Sequence, residues 1–324
     1  MREDAILYLS QKDVKKCLGM KDAMEATEDG IRSLSQGKAI QPPKVYMEIP
    51  KYHGYVLTLT AFVDEPLNIA DVKIVSYNPE SKKHGGSTIL SKIVLIDPKT
   101  GLPLAIMDGT WITAVRTAAT TAVAAKYLAK RNSEVVGILG VGIQARTHLM
   151  ALKEIFKLKR VRVTSVSKEH RVQFAKEVGE GLGLDIVPVD NCEQAMKGAD
   201  IVLTLTTANE ALVKKEWVAP GMFIAKIGSY QELDFGVPAM VDKLVVDSWE
   251  SVRDRVREII ETNTKREDIY AELGDIILGR KGGRESDIET VLFVATGMGV
   301  EDAAVALRAY QYAKGIGIGQ VLEA

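Results

Sequence analysis

Residues 137–145 read GILGVGIQA. An apolar strand at 135–140 runs into Gly140 and Gly142, and Ala145 stands where a third glycine often sits. In a strand–turn–helix setting the first glycine makes the tight turn. The second lets bare backbone approach a pyrophosphate, and a small third residue lets the helix pack closely on the strand. The helix N-terminus then presents unpaired N–H groups to an anion. The setting is met here, because a helical apolar pattern begins at Ile143 and runs to 157. Gly140, Gly142, Ala145 and the helix start at Ile143 are therefore candidate dinucleotide contacts. A glycine turn that merely joins strand to helix is the competing reading.

Toward the C-terminus the pattern repeats. Apolar strands are expected at 161–166, 185–189, 201–207, 222–227 and 243–247, with helices at 168–179 and 191–198. Repeated strand–helix units imply a parallel sheet covered on both faces, a Rossmann-type domain. Toward the N-terminus the grammar differs. WITAVRTAATTAVAAKYLAKRN, from Trp111, is alanine-rich and reads as one long helix. Before it, residues 11–37 read as a helix. PPKVYMEI, GYVLTLTAFV, ADVKIVSYN and STILSKIVLIDPKTGLPLAIMDG then read as strands, with a hairpin-type turn at DPKTG. GVEDAAVALRAYQYAKG reads as a last helix that returns to the first domain. The expected class is α/β: a Rossmann dinucleotide-binding domain at 116–296, and an α+β domain made of 1–115 with 297–324.

Composition narrows the function. The chain has 324 residues, is 46% hydrophobic and 26% charged, and carries a formal net charge of −1. No charge field draws it to nucleic acid or an anionic membrane, so neither is expected as a partner. Two distant cysteines and four scattered histidines form no disulfide framework or metal-ligand spacing, and no metal is expected. MREDAILYLS lacks the apolar core of a signal peptide, and no apolar stretch approaches the roughly 20 residues of a membrane span. A cytoplasmic location is expected.

The second strand speaks to the dinucleotide. In VRVTSVSKEHR (161–171) Ser165 occupies the place where a carboxylate would bind a ribose 2′-hydroxyl, and Ser167, Lys168 and Arg171 follow. Hydroxyls and cations suit a 2′-phosphate, so NADP(H) is favoured and NAD(H) remains open. Lys168 and Arg171 as the solvated start of a helix is the alternative. Thr206 and Thr207 end the fourth strand, and Gly228 and Ser229 end the fifth, so all four are candidate cofactor neighbours.

Arg116 is the one charged residue between Asp108 and Lys126. Buried in an apolar helix, it needs an anion, either an internal acid or a ligand carboxylate. The ligand is the reading taken, which points to an amino, imino or keto acid. Lys73 in ADVKIVSY and Lys44 in PPKVYMEI each read, alone, as solvated lysines on half-exposed strands.

The blocks QPPKVYMEI, PLAIMDGTWITAVRTAATTAVAAKYLA, VVGILGVGIQA, YAELGDIILGRKGGRES and TGMGVEDAAVA together resemble the ornithine cyclodeaminase/mu-crystallin family, which includes archaeal alanine dehydrogenases and imine reductases. The resemblance spans essentially the whole chain. It implies that the α+β domain binds substrate and dimerises, so that a homodimer is expected. It places Arg116 on the substrate carboxylate, Lys73 on the substrate as candidate proton donor, and Lys44 facing the pocket. Thr117 falls on a cofactor phosphate contact, Gln144 with Gly140, Gly142 and Ala145 on the pyrophosphate loop, and Asp302 on an acid bordering the active site. Ser229 stands where cyclodeaminases and alanine dehydrogenase carry an aspartate, and YVLTLTAFV lacks an arginine found in alanine dehydrogenase relatives. The implied activity is NAD(P)H-dependent reduction of an imino acid, cyclic or formed from a keto acid and an amine. Ornithine cyclodeamination and non-catalytic, crystallin-like binding are the alternatives.

Overall fold

A computed structural model describes residues 5–84, 87–228 and 230–323. The chain divides into two compact units, 1–120 with 298–324, and 121–297. The long alanine-rich helix Gly109–Leu128 contains the first boundary, so Arg116 and Thr117 belong to the first unit, not to the dinucleotide domain in which they were expected. An uninterrupted helix carries no composition break to mark the division.

The first unit contains strands β1 (Ile6–Leu9), β2 (Ala39–Ile40), β3 (Val45–Ile49), β4 (Gly54–Val63), β5 (Ile69–Tyr77), β6 (Ile89–Ile96) and β7 (Pro103–Asp108). The second contains β8 (Val135–Leu139), β9 (Arg160–Thr164), β10 (Ile186–Pro188), β11 (Ile201–Thr204), β12 (Phe223–Ile227), β13 (Lys243–Val246), β14 (Ala271–Glu272) and β15 (Val291–Ala295). The last strand, β16 (Gln320–Leu322), returns to the first unit.

The first sheet runs β16-β1-β7-β6-β5-β4-β2, with β3 also paired to β4, and is antiparallel except between β1 and β7. Alternation sets its two faces. In β5, Ile69, Asp71, Lys73 and Val75 are buried while their neighbours are half-buried or exposed, and Ser91, Ile93 and Leu95 do the same in β6. The helix Gly299–Ile316 packs on this sheet. Its small residues allow close approach: a Cβ at Gly30 of the helix Met20–Ser35 would lie 2.6 Å from Val300 O, and one at Gly299 would lie 2.9 Å from Thr60 O. The helix expected over 11–37 is two helices, Gln11–Cys17 and Met20–Ser35, because extended backbone at Leu18 and Gly19 interrupts it.

The second sheet is wholly parallel, in the order β10-β9-β8-β11-β12-β15-β13-β14. Chain order reverses between β8 and β11, which are neighbours, and ligands of open parallel sheets bind outside the carboxyl ends at such a switch point. Near-continuous apolar runs fill the central strands; every residue of β11, β13 and β15 is buried. The sequence reading missed β15, VLFVA, which lies between β12 and β13 although it follows both in the chain. Among the described residues no helix is long and apolar enough to cross a membrane.

Candidate active site

In the first unit, three elements bring ionisable side chains together in the core. β5 supplies Asp71 and Lys73 on its buried face, the helix Gly109–Leu128 supplies Arg116, and the first turn of Gly299–Ile316 supplies Glu301 and Asp302. Lys73 is 1% exposed, Arg116 6%, and both acids of the helix 0%. Asp302 joins the two cations: its Oδ2 lies 2.5 Å from Lys73 Nζ, and its Oδ1 accepts from Arg116 Nε at 3.0 Å. Glu301 Oε2 accepts from Arg116 Nη1 at 3.1 Å and also from the Met298 backbone N–H, so it caps its own helix.

This arrangement revises one inference, which set an internal acid and a ligand against each other as alternatives. Arg116 meets two internal acids, Asp302 through Nε and Glu301 through Nη1, 186 and 185 residues away in sequence. A buried arginine in an apolar helix cannot by itself reveal whether acid or ligand answers it. Lys73 is likewise buried and ion-paired, not solvated. Burial, and then the Arg116 guanidinium, lower its ammonium to about 8, against the pull of Asp302. Asp71, which the sequence reading passed over, accepts from the Ala61 N–H through Oδ1, while its Oδ2 is buried without a hydrogen bond among the described residues. Burial foremost, then Asp302, raises its carboxyl well above the usual range, against Lys73. Lys44 lies just before β3 and is half-buried. Gln41, on the same stretch, accepts from the Val300 N–H at the start of the last helix. Thr117 Oγ1 donates to Thr113 O, one turn back in its own helix.

In the second unit the glycine turn has the expected form. Gly140 has φ +101°, and a Cβ there would lie 2.5 Å from Leu205 O. Gly142 caps the helix Ile143–Lys153 in extended conformation, and a Cβ there would meet nothing within 4 Å. The protein's own packing therefore does not demand glycine at 142, whereas close approach of a pyrophosphate would. Ala145 is fully buried, Ile143 is exposed, and the Gln144 side-chain carbonyl is buried without a hydrogen-bond partner among the described residues. These residues fit a dinucleotide.

The remaining cofactor candidates divide. Ser165 Oγ donates to Ser167 O, and Ser167 Oγ caps the helix Lys168–Leu182 by accepting from the His170 N–H. Arg171 is buried, donates to Ser165 O and pairs with Asp190, so its charge is already answered. Lys168 is exposed. Thr206 turns its hydroxyl inward: Oγ1 donates to Glu232 Oε1 at 2.7 Å and accepts from the Ala208 N–H. Thr207 is exposed, Gly228 has φ +103°, and Ser229 lies outside the described residues.

Residues 5–316 match the ornithine cyclodeaminase/mu-crystallin family. The chain belongs to that family. It is 34% identical to the alanine dehydrogenase of Archaeoglobus fulgidus over 98% of each chain. Among solved structures of this family it is similar to Thermococcus litoralis Δ1-pyrroline-2-carboxylate reductase in complex with NADH and L-proline. The TM-score is 0.94 and the identity 37%, over 97% of this chain and 99% of that one. It is also similar to an archaeal alanine dehydrogenase dimer with bound NAD, with TM-score 0.92 and 34% identity, over 98% of this chain and 99% of that one. The Rossmann domain and the second α+β domain of the chain are those of the family.

Proposed function

We propose that the protein is a nicotinamide-dependent oxidoreductase that forms an amino acid by reducing an imino acid, either a cyclic imine or the imine of a 2-keto acid and an amine. The observation that carries this reading is the buried cluster in which one carboxylate, Asp302, holds Lys73 and Arg116 on its two oxygens. The relatives named above act on pyrroline-2-carboxylate or alanine, and all these substrates and products share a carboxylate beside the carbon that changes oxidation state.

A bound nicotinamide dinucleotide supplies the hydride. Gly140, Gly142 and the N-terminal turn of Ile143–Lys153 would hold its pyrophosphate. Arg116 binds the substrate carboxylate, with Glu301 and Asp302 fixing the guanidinium plane, and Lys44 adds positive charge. Lys73, lowered to about 8, is protonated at neutral pH yet gives up a proton more readily than a solvated lysine. Its ammonium delivers that proton to the nitrogen of the C=N bond as the carbon is reduced. Positioning supplies most of the acceleration, since a carboxylate fixed beside the carbon converts encounter into a local step.

NADP(H) is favoured over NAD(H), because the end of β9 carries Ser165 and no acid. With Arg171 engaged by Asp190, Lys168 is the cation left for a 2′-phosphate, so the preference is modest, within about tenfold in KM. The deciding experiment measures NADH and NADPH oxidation with Δ1-pyrroline-2-carboxylate, and with pyruvate and other 2-keto acids plus ammonia or methylamine, alongside ornithine without added reductant. Turnover of at least one imino acid is expected. Ammonia release from ornithine with no such turnover would establish a lyase instead, and tight binding with no turnover on any substrate a binding protein.

A further inference from the structure

The second unit buries a set of polar side chains that the reading above leaves without a task. Lys226 and Glu232 are 0% exposed and Glu258 1%. Glu232 takes three donors from one short stretch: Thr204 Oγ1 at 2.9 Å, the Thr206 N–H at 2.8 Å and Thr206 Oγ1 at 2.7 Å. Its own backbone is fixed in turn, because Glu258 Oε1 accepts the N–H groups of Glu232 and Leu233 at 2.8 and 2.9 Å. Lys226 Nζ pairs with Glu258 Oε2 at 3.3 Å and donates to Gly228 O at 2.7 Å. The result is one connected chain from the turn after β12, through Glu258 and Glu232, to the loop after β11.

That loop supports the glycine turn. A Cβ on Gly140 would strike Leu205 O at 2.5 Å and Thr206 Cγ2 at 3.0 Å, so residues 205–206 lie directly against the turn. Residues 205–209 have no helix or strand of their own. Leu205 is held by its N–H to Leu139 O, and Thr206 by Glu232. Burying three ionisable groups is costly, and well-packed apolar residues would often stabilise as much. Such a network earns retention where it imposes one geometry on irregular backbone.

We infer that Glu232 is a positioning residue for dinucleotide binding: by holding Thr204 and Thr206 it fixes the backbone against which the Gly140–Gly142 turn rests. The inference depends on the dinucleotide reading. Losing a buried acceptor leaves the Thr206 N–H unsatisfied, and the loop shifts to find a partner.

The test titrates NADH and NADPH by fluorescence into the full-length wild type, Glu232→Ala, Glu232→Gln and Thr206→Val, with a thermal melt of each. Glu232→Ala is expected to raise Kd for the dinucleotide about tenfold or more. Glu232→Gln, which keeps an acceptor for Thr206, stays within about threefold of wild type. KM for the imino or keto acid at saturating dinucleotide stays near the wild-type value. A purely structural role would lower the melting temperature and leave Kd unchanged below it; that outcome in Glu232→Ala overturns the inference. So does a Glu232→Gln variant as weak as Glu232→Ala. Should Glu232→Ala fail to fold, Thr206→Val decides, because it removes one hydroxyl and leaves the carboxylate: unchanged Kd overturns the inference, and a several-fold rise supports it. Wild type that binds neither dinucleotide removes the functional reading, and this inference with it.

Discussion

Lys73 and Asp71 lie two residues apart on one buried strand face, and their surroundings push them in opposite senses. Burial and Arg116 lower the Lys73 ammonium to about 8. If that ammonium is the proton donor, kcat/KM for imine reduction falls as pH rises through about 8. Lys73→Met is expected to lose that limb together with about 10²–10⁴ of the rate. A wild-type profile flat from pH 6.5 to 9.5, after allowance for the substrate's own ionisation, would remove Lys73 from the role. Asp71 is the stability counterpart. Its folded-state carboxyl keeps a proton that the unfolded chain has already lost, because burial and Asp302 raise it. The unfolded state therefore binds fewer protons between the ordinary carboxylate range near pH 4 and the raised folded value. Over that window stability falls with rising pH, by at most about 1.4 kcal/mol per unit. Asp71→Asn removes this penalty. Urea unfolding should show the variant gaining on wild type as pH rises above the ordinary carboxylate range near pH 4; parallel curves would contradict it.

In the proposed function, dinucleotide binding rests on the glycine turn and the helix after it, and the two glycines of the turn separate fold from function. Gly140→Ala places a methyl group 2.5 Å from Leu205 O on a backbone with φ +101°, so it is expected to destabilise by about 1–3 kcal/mol and to weaken binding as the turn moves. Gly142→Ala meets no protein atom within 4 Å and has φ −77°. It should melt like wild type and yet bind NADH about tenfold or more weakly, because the added methyl group occupies the approach of the pyrophosphate. Equal binding by Gly142→Ala would place the dinucleotide elsewhere. This element was legible because its signal is local: a strand, two glycines and a helix within 20 residues. Other parts were not. β15 is a plain five-residue apolar run whose place between β12 and β13 depends on crossover connections, which no local pattern encodes. Glu301 and Asp302 became partners of Arg116 only through folding, across 185 residues or more. Asp71 did carry a signal. Ile69, Asp71, Lys73 and Val75 share one strand face, and two ionisable groups between apolar residues on a buried face announce a polar cluster. Glu232 and Glu258 left none, since each is one acid among many until the loops close around it.

At the scale of the molecule, the outer face of the first unit's sheet is the feature that soluble monomers avoid. Across β4, β5, β6 and β7 the register aligns Thr60, Val72, Val94 and Ile106, and the next row aligns Phe62, Ala70 and Ile96. All these side chains are half-buried, and nearby Ile74 is 44% exposed and Leu90 55%. A contiguous apolar band on an antiparallel sheet whose other face already holds the core calls for a cover. A second copy would provide one that is self-complementary. Light scattering should therefore give a mass near twice 35.4 kDa at micromolar concentration. Val94→Asp puts a carboxylate in the middle of the band without touching the buried face, where Ile93 and Leu95 point. It is expected to yield a folded monomer that still binds dinucleotide, because the glycine turn belongs to the other unit. A monomeric wild type, or a Val94→Asp variant that stays dimeric, would move the interface off this sheet. The size of the fall in imine turnover in the monomer then measures how far the buried Lys73–Asp302–Arg116 arrangement depends on the sheet being covered from outside.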